Sequence, residues 1–195
     1  MNRRIHILGA SGSGTTTLGQ ALSKQFSIPH FDTDNYHWVK TDIPFTEKRD
    51  DNERAGLLKG DLLAHPEWVL SGSLCDWGDF AIPLFTLVVF LWIPHDLRMK
   101  RLQAREIERF GLKAISPGGW FHKNHQDFME YVSAYDTAGL DVDIRSRKLH
   151  EQWMSMLNCK LLRIETPLSI QELTAKVGQE LETLQTGDQG GESIP

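Results

Sequence analysis

The sequence predicts an α/β protein built on a parallel β-sheet, and three observations point to it. Residues 86–92 (TLVVFLW) form an unbroken β-branched and aromatic run, the pattern of a parallel strand covered on both faces. Short strand-like runs alternate with segments of helical period along most of the chain. A glycine-rich turn separates the first such run from the first helical segment. Composition agrees: 195 residues, 40% hydrophobic and 24% charged, describe one ordinary globular domain. A chain of this length buries roughly 70% of its unfolded surface and needs no disulfide staple.

Residues 3–8 (RRIHIL) read as a short strand, and Gly9 opens the turn. Residues 15–26 place Leu18, Ala21, Leu22 and Phe26 at helical spacing. Residues 28–32 (IPHFD) are a second strand, leading into the acidic pair Asp32 and Asp34, and a loop with Pro44 and several aromatics follows. A helix is predicted over 46–65, with Thr46 as its cap and Ala55, Leu58, Leu62 and Leu63 as its core face. Residues 67–70 form a third strand before the loop SGSLCDWGD. The run at 86–92 is the fourth strand, and Pro94 starts a long helix to residue 110. After a loop at 111–119, helices are predicted over 122–138 and 143–157, a fifth strand over 160–164 and a closing amphipathic helix over 169–184. The polar, glycine-rich end, 186–195, reads as a disordered tail. No internal repeat is visible, and residues 1–185 read as one domain.

Several function classes are excluded. The longest strongly apolar run, 84–93, is about half of the ~20 residues a membrane helix needs. Arg3 and Arg4 precede an apolar stretch that stops at the glycines, which does not make a secretory signal and points to the cytoplasm. Cys75 and Cys159 are too few for a disulfide framework or zinc cage. A net charge of -5 argues against general nucleic-acid binding. His122 and His125 lack a third metal ligand at a telling spacing. Lys40 to Asp42 sits in the wrong place for a guanine-specifying motif, so a GTPase is rejected.

Residues 9–16 read GASGSGTT. The phosphate-binding P-loop pattern is G-x-x-x-x-G-K-[ST]; Gly9, Gly14 and Thr16 match, and Thr15 stands where lysine belongs. Gly12 and Gly14 can turn successive N–H groups inward, Ser11 and Ser13 lie within the loop, and the helix starting near Thr15 and Thr17 offers its positive end to an anion. The Thr16 hydroxyl suits Mg²⁺. The same residues also fit a plain glycine turn between strand and helix.

With this loop the chain resembles the small P-loop kinases: adenylate, shikimate and gluconate kinases and the adenylate-kinase-like proteins near them. The segment IPHDLRMKRLQAR is similar to the adenylate kinase segment with R-x-x-x-R, matching Arg101 and Arg105, which in that family contact the nucleotide and its phosphates. DIRSR is similar to the R-x-R segment after the lid, matching Arg145 and Arg147, which there reach the transferring phosphates. Arg101 and Arg105 share a helix face, and a cluster of guanidiniums repels itself unless an anion lies against it; pairing with Glu106 and Glu108 as a solvated face is the other reading. The sequence departs from the adenylate kinase pattern in three ways. The loop lysine is absent. The pattern D-G-F-P-R after the third strand is here SGSLCD, without its acid and arginine. The lid is short, ISPGGWFH, without paired cysteines.

The resemblance implies a three-layer α/β/α P-loop NTPase fold with a five-stranded parallel sheet in the order 2-3-1-4-5. It also implies a small acceptor-side helical insert at about 41–65 and a short lid at about 111–145. Ligands of open α/β sheets bind outside the carboxyl ends of the strands, which places Asp32 and Asp34 near the loop. Shikimate and gluconate kinases carry a similar D-x-D there. Asp34 is therefore expected to accept the acceptor hydroxyl's proton and Asp32 to support Mg²⁺ through water, against the alternative of simple turn chemistry. Ser71, Ser73 and Asp76 are candidates for acceptor hydrogen bonds, and His37, Trp38, Trp77 and Trp120 for pocket walls or plain packing. The expected activity is an ATP- and Mg²⁺-dependent phosphotransferase for a small metabolite or nucleotide-like acceptor. The alternative is a nucleotide-binding protein or weak ATPase without kinase activity, regulatory or partner-dependent. No membrane or general nucleic-acid partner is expected, and the oligomeric state is left open.

Overall fold

The computed structural model describes residues 2–188. Its sheet has five strands: β1 (Arg4–Gly9), β2 (His30–Asp32), β3 (Trp68–Ser71), β4 (Leu87–Leu91) and β5 (Lys160–Ile164). All pair in parallel, in the order β2-β3-β1-β4-β5. β1 is central, with Ile5 beside both Val69 and Leu87. At the carboxyl edge Asp32 stands beside Ser71, and Gly9 beside Leu91.

Strand alternation divides the core into two faces. Ile5, Ile7, Leu87, Val89 and Leu91 pack with Leu18 and Leu22 of α1 (Thr15–Phe26) and with Leu173, Val177 and Leu181 of the closing helix. Leu70, Val88 and Phe90 pack on the other face with Leu58 and Leu62 of α3 (Asp51–Ala64) and with Trp153 and Met154 of α7 (Arg147–Met154). Since β4 is covered on both sides, it reads as a continuous apolar run, LVVFL, whereas β1 carries the buried His6 among its apolar residues. Between them lie α2 (Thr33–His37), α4 (His95–Phe110), α5 (Leu112–Ile115) and α6 (His122–Ser133), and the chain closes with α8 (Ile170–Asp188). No helix among the described residues is long and apolar enough to cross a membrane.

Several expectations change. The third helix starts at Asp51 rather than 46, because Asp50 caps it through Asn52 N and Glu53 N. Residues before it are held in a loop by the Trp38–Lys48 bridge and by Val39 N donating to Glu47 O at 2.9 Å. Leu63 faces solvent, and Arg54 is buried in line with Leu58 and Leu62. α2 and a 3-10 turn at Asp79–Leu84 were not expected, nor was α5 within 111–119. The helix expected over 122–138 stops at Ser133 and passes into a 3-10 turn, Ala134–Asp136. The one expected over 143–157 begins only after Ser146, whose hydroxyl caps it by accepting from Leu149 N. α8 continues through 186–188, where a disordered tail was expected; the rest of that tail lies outside the described residues.

One buried polar network underlies the carboxyl edge. His150 reaches Ser73 Oγ through Nε2 at 3.1 Å and Tyr135 Oη through Nδ1 at 2.9 Å. Arg98, fully buried, lies over the Tyr135 ring and pairs with Asp136. His6, in the central strand, bonds to Leu70 O and stacks on Phe85. Burial pushes the imidazoles of both His6 and His150 down to about 3, with Arg145 adding to the effect at His150.

Unfolded, these histidines bind protons near 6.5; folded, they stay neutral down to about 3. Between those values the unfolded state binds more protons, so stability falls as pH falls through that window. Urea unfolding between pH 7 and 4 is expected to show a loss approaching about 1.4 kcal/mol per pH unit for each histidine. A profile flat from pH 6 to 4 would contradict their burial as neutral rings.

Candidate functional site

The glycine turn runs from the end of β1 to the start of α1, with Gly12 and Gly14 at φ 82° and 103°. Those positive values turn the loop back over the sheet edge. A Cβ on Gly12 would lie 3.0 Å from Arg98 O and Leu102 Cγ, so α4 forms the loop's rear wall. Among the described residues no side chain caps α1, and its first turn holds no acid of its own, so backbone N–H groups at the positive helix end stay open to an anion. Ser13 Oγ is buried without a hydrogen-bond partner among the described residues. An anion seated in the loop would satisfy both features.

A cavity of about 320 Å³ opens beside the loop. Its lining includes Gly12 through Thr17, Arg101 and Arg105, with Ile93, Ile164, Thr166 and Leu168 on an apolar side. Gly9 and Ser11 are outside that lining, Gly9 being packed against Leu91 O. Arg101 donates to Gly12 O at 3.4 Å, so its guanidinium lies over the loop that lacks a lysine.

Thr16 and Asp32 meet directly. Thr16 Oγ1 donates to Asp32 Oδ2 at 2.8 Å, and Ser71 Oγ donates to the same oxygen at 2.9 Å. Asp32 Oδ1 accepts from Asp34 N at 3.0 Å. This oxygen-rich pair at the loop fits a hard divalent cation such as Mg²⁺: Thr16 gives its proton to Asp32 and keeps lone pairs free. The acid missing from the end of β3 is thus matched by one on the adjacent strand, in register with Ser71.

Asp34 is open to solvent, yet the protein packed around its carboxyl costs it hydration and raises its pKa, and the Asp32 charge adds to this. The charges of Arg145, Arg105 and Arg109 pull the other way. Burial and the neighbouring Arg109 lower the Arg105 pKa, while Glu106, Asp34 and Asp32 oppose them. Glu106, itself buried, lies 3.8 Å from Arg105, 3.7 Å from Arg109 and 3.8 Å from His125.

Arg145 also acts on His37, Cys75 and His150. Arg147, two residues on, turns elsewhere: it bonds to Glu165 at 3.0 Å, approaches Glu151 and covers the Trp92 ring. The intervening Ser146 is the α7 cap, so the two arginines leave the chain on opposite sides of a helix start.

Among the other candidates, His37 Nδ1 lies 2.6 Å from Arg54 Nη1, and burial with Arg54 and Arg145 pushes its pKa down to about 4. Trp77 lies beneath Arg54 and donates to Ser73 O, and Trp38 packs on His37 and Phe45. Trp120 is 64% exposed and packs edge-on to Phe110. Ser73 is buried against His150, and Asp76 adopts a positive φ of 70°. His122 bonds to Ile115 O. Arg109, near the Arg101 and Arg105 face, was part of the guanidinium cluster read from the sequence, whereas Arg54 and His30 were not singled out: each is a lone polar residue with no spacing to mark it.

No family model matches the chain. It is 49% identical over 177 residues to the uncharacterized protein YqaC of Bacillus subtilis, covering 91% of this chain and 96% of that one. Among solved structures, the shikimate kinase of Acinetobacter baumannii in complex with shikimate superposes with a TM-score of 0.53 at 12% identity, over 94% of each chain. That of Aquifex aeolicus gives 0.53 at 15%, over 94% of this chain and 99% of its own. That of Bacteroides thetaiotaomicron gives 0.51 at 16%, over 92% and 98%. At such identities the likeness concerns the fold, which is that of the P-loop kinases.

Two of the four arginines expected at the phosphates, one from each pair, should separate on mutation. Calorimetric titration with inorganic tripolyphosphate is expected to show about tenfold weaker binding for Arg105→Ala, the loss of a charged hydrogen bond. Arg147→Ala should stay within about twofold of wild type. Equal losses would contradict the placement of Arg147 away from the loop.

Proposed function

The chain belongs to the family of Bacillus subtilis YqaC, and from that premise we propose that it is an ATP-binding phosphotransferase for a small metabolite or nucleotide-like acceptor. One observation carries the reading: Thr16 and Asp32 are hydrogen-bonded at the loop, Asp32 accepts from Asp34 N, and the charges of Arg145, Arg105 and Arg109 are near enough to oppose the rise in the Asp34 pKa. Phosphoryl transfer needs positioning and neutralised charge more than covalent chemistry, and that set supplies both.

In this reading the loop from Gly9 to Thr17, Ser11 and Ser13 included, holds the donor's β-phosphate. Arg101 and Arg105 supply the charge that Thr15 does not. Thr16, and Asp32 through water, would hold Mg²⁺, which would offset the negative charge of the phosphates. Asp34 orients the acceptor hydroxyl. As its oxygen bonds to the γ-phosphorus, the bond from that phosphorus to the β,γ-bridging oxygen breaks, ADP leaves, and the hydroxyl proton passes to Asp34. Arg145 neutralises the equatorial oxygens. Arg147 has no part while it stays with Glu165. Residues 41–65 form the acceptor side and 111–145 the lid, and the protein works in the cytoplasm.

A second reading, a nucleotide-binding protein or weak ATPase without kinase activity, is favoured by Thr15 in the lysine position. Titration calorimetry of the full chain with ATP, with and without Mg²⁺, tests both. Micromolar, Mg²⁺-dependent binding is expected, and its absence at millimolar ATP overturns the proposal. With labelled ATP and an accepted acceptor, Asp34→Asn should lower transfer about 10²–10⁴-fold while leaving ATP binding within about threefold. Binding without transfer to any acceptor in a broad metabolite screen, with Thr15→Lys gaining hydrolysis, would support the second reading.

A further inference from the structure

A histidine outside the machinery above stands at the end of a hydrogen-bond chain that leads into it. His30 Nε2 lies 2.9 Å from Ser71 Oγ; Ser71 Oγ donates to Asp32 Oδ2 at 2.9 Å; Thr16 Oγ1 donates to that same oxygen at 2.8 Å. We infer that His30 is a positioning residue: through Ser71 it aims the Asp32 carboxylate at Thr16, so that Thr16 presents its free lone pairs to a divalent cation. The inference rests on the cation reading proposed for Thr16 and Asp32.

Counting protons sets the direction of the chain. Ser71 is fully buried and its hydroxyl carries one proton. Given to Asp32, that proton leaves only acceptor lone pairs facing His30. The imidazole must therefore donate, and its neutral form carries hydrogen on Nε2. Asp32 then receives three donors: Thr16 and Ser71 on one oxygen, Asp34 N on the other. A carboxylate held by three donors keeps one rotamer, and Thr16 can turn its proton nowhere better. Without the imidazole donor, the Ser71 hydroxyl is free to rotate away, and one of the three holds on Asp32 slackens. Partners of this kind behind a ligating oxygen are commonly worth a tenfold or larger change in metal affinity.

The ring is placed from the opposite side as well. A Cβ on Gly19, in the middle of α1, would lie 2.4 Å from His30 Nε2 and 2.8 Å from Cδ2. Glycine inside a helix costs about 0.5–1 kcal/mol relative to alanine. Here its missing side chain is the space the imidazole occupies. The helix that starts at the phosphate loop and the strand that ends in Asp32 thus meet at this ring.

Two measurements on the full chain test the inference. Nitrogen-15 NMR of the histidine side chains at pH 7.5 should show His30 as the Nε2–H tautomer; the Nδ1–H tautomer overturns the chain as drawn. Calorimetric titration with ATP, with and without Mg²⁺, gives the gain in affinity due to the cation. For His30→Leu this gain should fall about three- to tenfold with metal-free ATP binding within about twofold of wild type, while His30→Gln, which keeps an N–H donor, should retain more of it. Gly19→Ala keeps the imidazole but takes its space and improves the helix, and it should lose the gain as His30→Leu does. An undiminished gain in His30→Leu and Gly19→Ala overturns the inference while leaving the proposed function standing. No ATP binding by the wild-type chain overturns both.

Discussion

The structure of the site depends on one carboxylate. Asp32 ends β2, accepts from Thr16 in the first turn of α1 and from Ser71 at the end of β3, and caps the helix turn that carries Asp34. Three elements that diverge elsewhere are joined at that point. β2 is only three residues long and lies at the sheet edge, where pairing with β3 alone gives it little support. The side-chain bonds of Asp32 to Thr16 and Ser71 add to that pairing. The loop conformation, the orientation of Asp34 and the edge of the sheet are in this sense one arrangement.

Charge around this point is balanced by residues of opposite kind rather than by dilution. The loop has no lysine, but α4 lies along it and brings Arg101 over Gly12 O. Arg105 and Arg109 would repel one another on the same face; buried Glu106 lies within 4 Å of both. α4 therefore has a buried stripe made of Arg98, Leu102 and Glu106, an unusual composition for a core-facing surface. Each charged member has a partner: Asp136 for Arg98, two arginines and His125 for Glu106. Burying a charge is tolerable when it is paired in this way.

Much of this was legible in the sequence. The bounds of α1 and β5 follow from apolar spacing and come out to the residue, because both are local patterns. The strand order followed from the resemblance carried by the glycine loop. What stayed hidden depends on contacts between distant residues. The third helix starts late because Trp38 bridges to Lys48. Arg54 is inside because His37, Asp51 and Trp77 receive its guanidinium. Arg145 and Arg147 look equivalent as R-x-R, and only the cap at Ser146 shows that they part. His30 has no signal of its own in the sequence; its counterpart, Gly19, looks like a weak spot in a helix.

The central place of β1 has a consequence for how the chain comes to be folded. The strand is made first, yet its ladders are with Trp68–Ser71 and Leu87–Leu91. On the ribosome it must wait until more than sixty further residues have emerged before β3 can pair with it, and more than eighty before β4 can, and closing such separations is slow. The loop that follows it cannot take shape earlier, since Gly9 is seated against Leu91. The seating of the loop and the pairing of β1 with β4 are thus completed together, and the pocket beside the loop is a product of the assembled sheet.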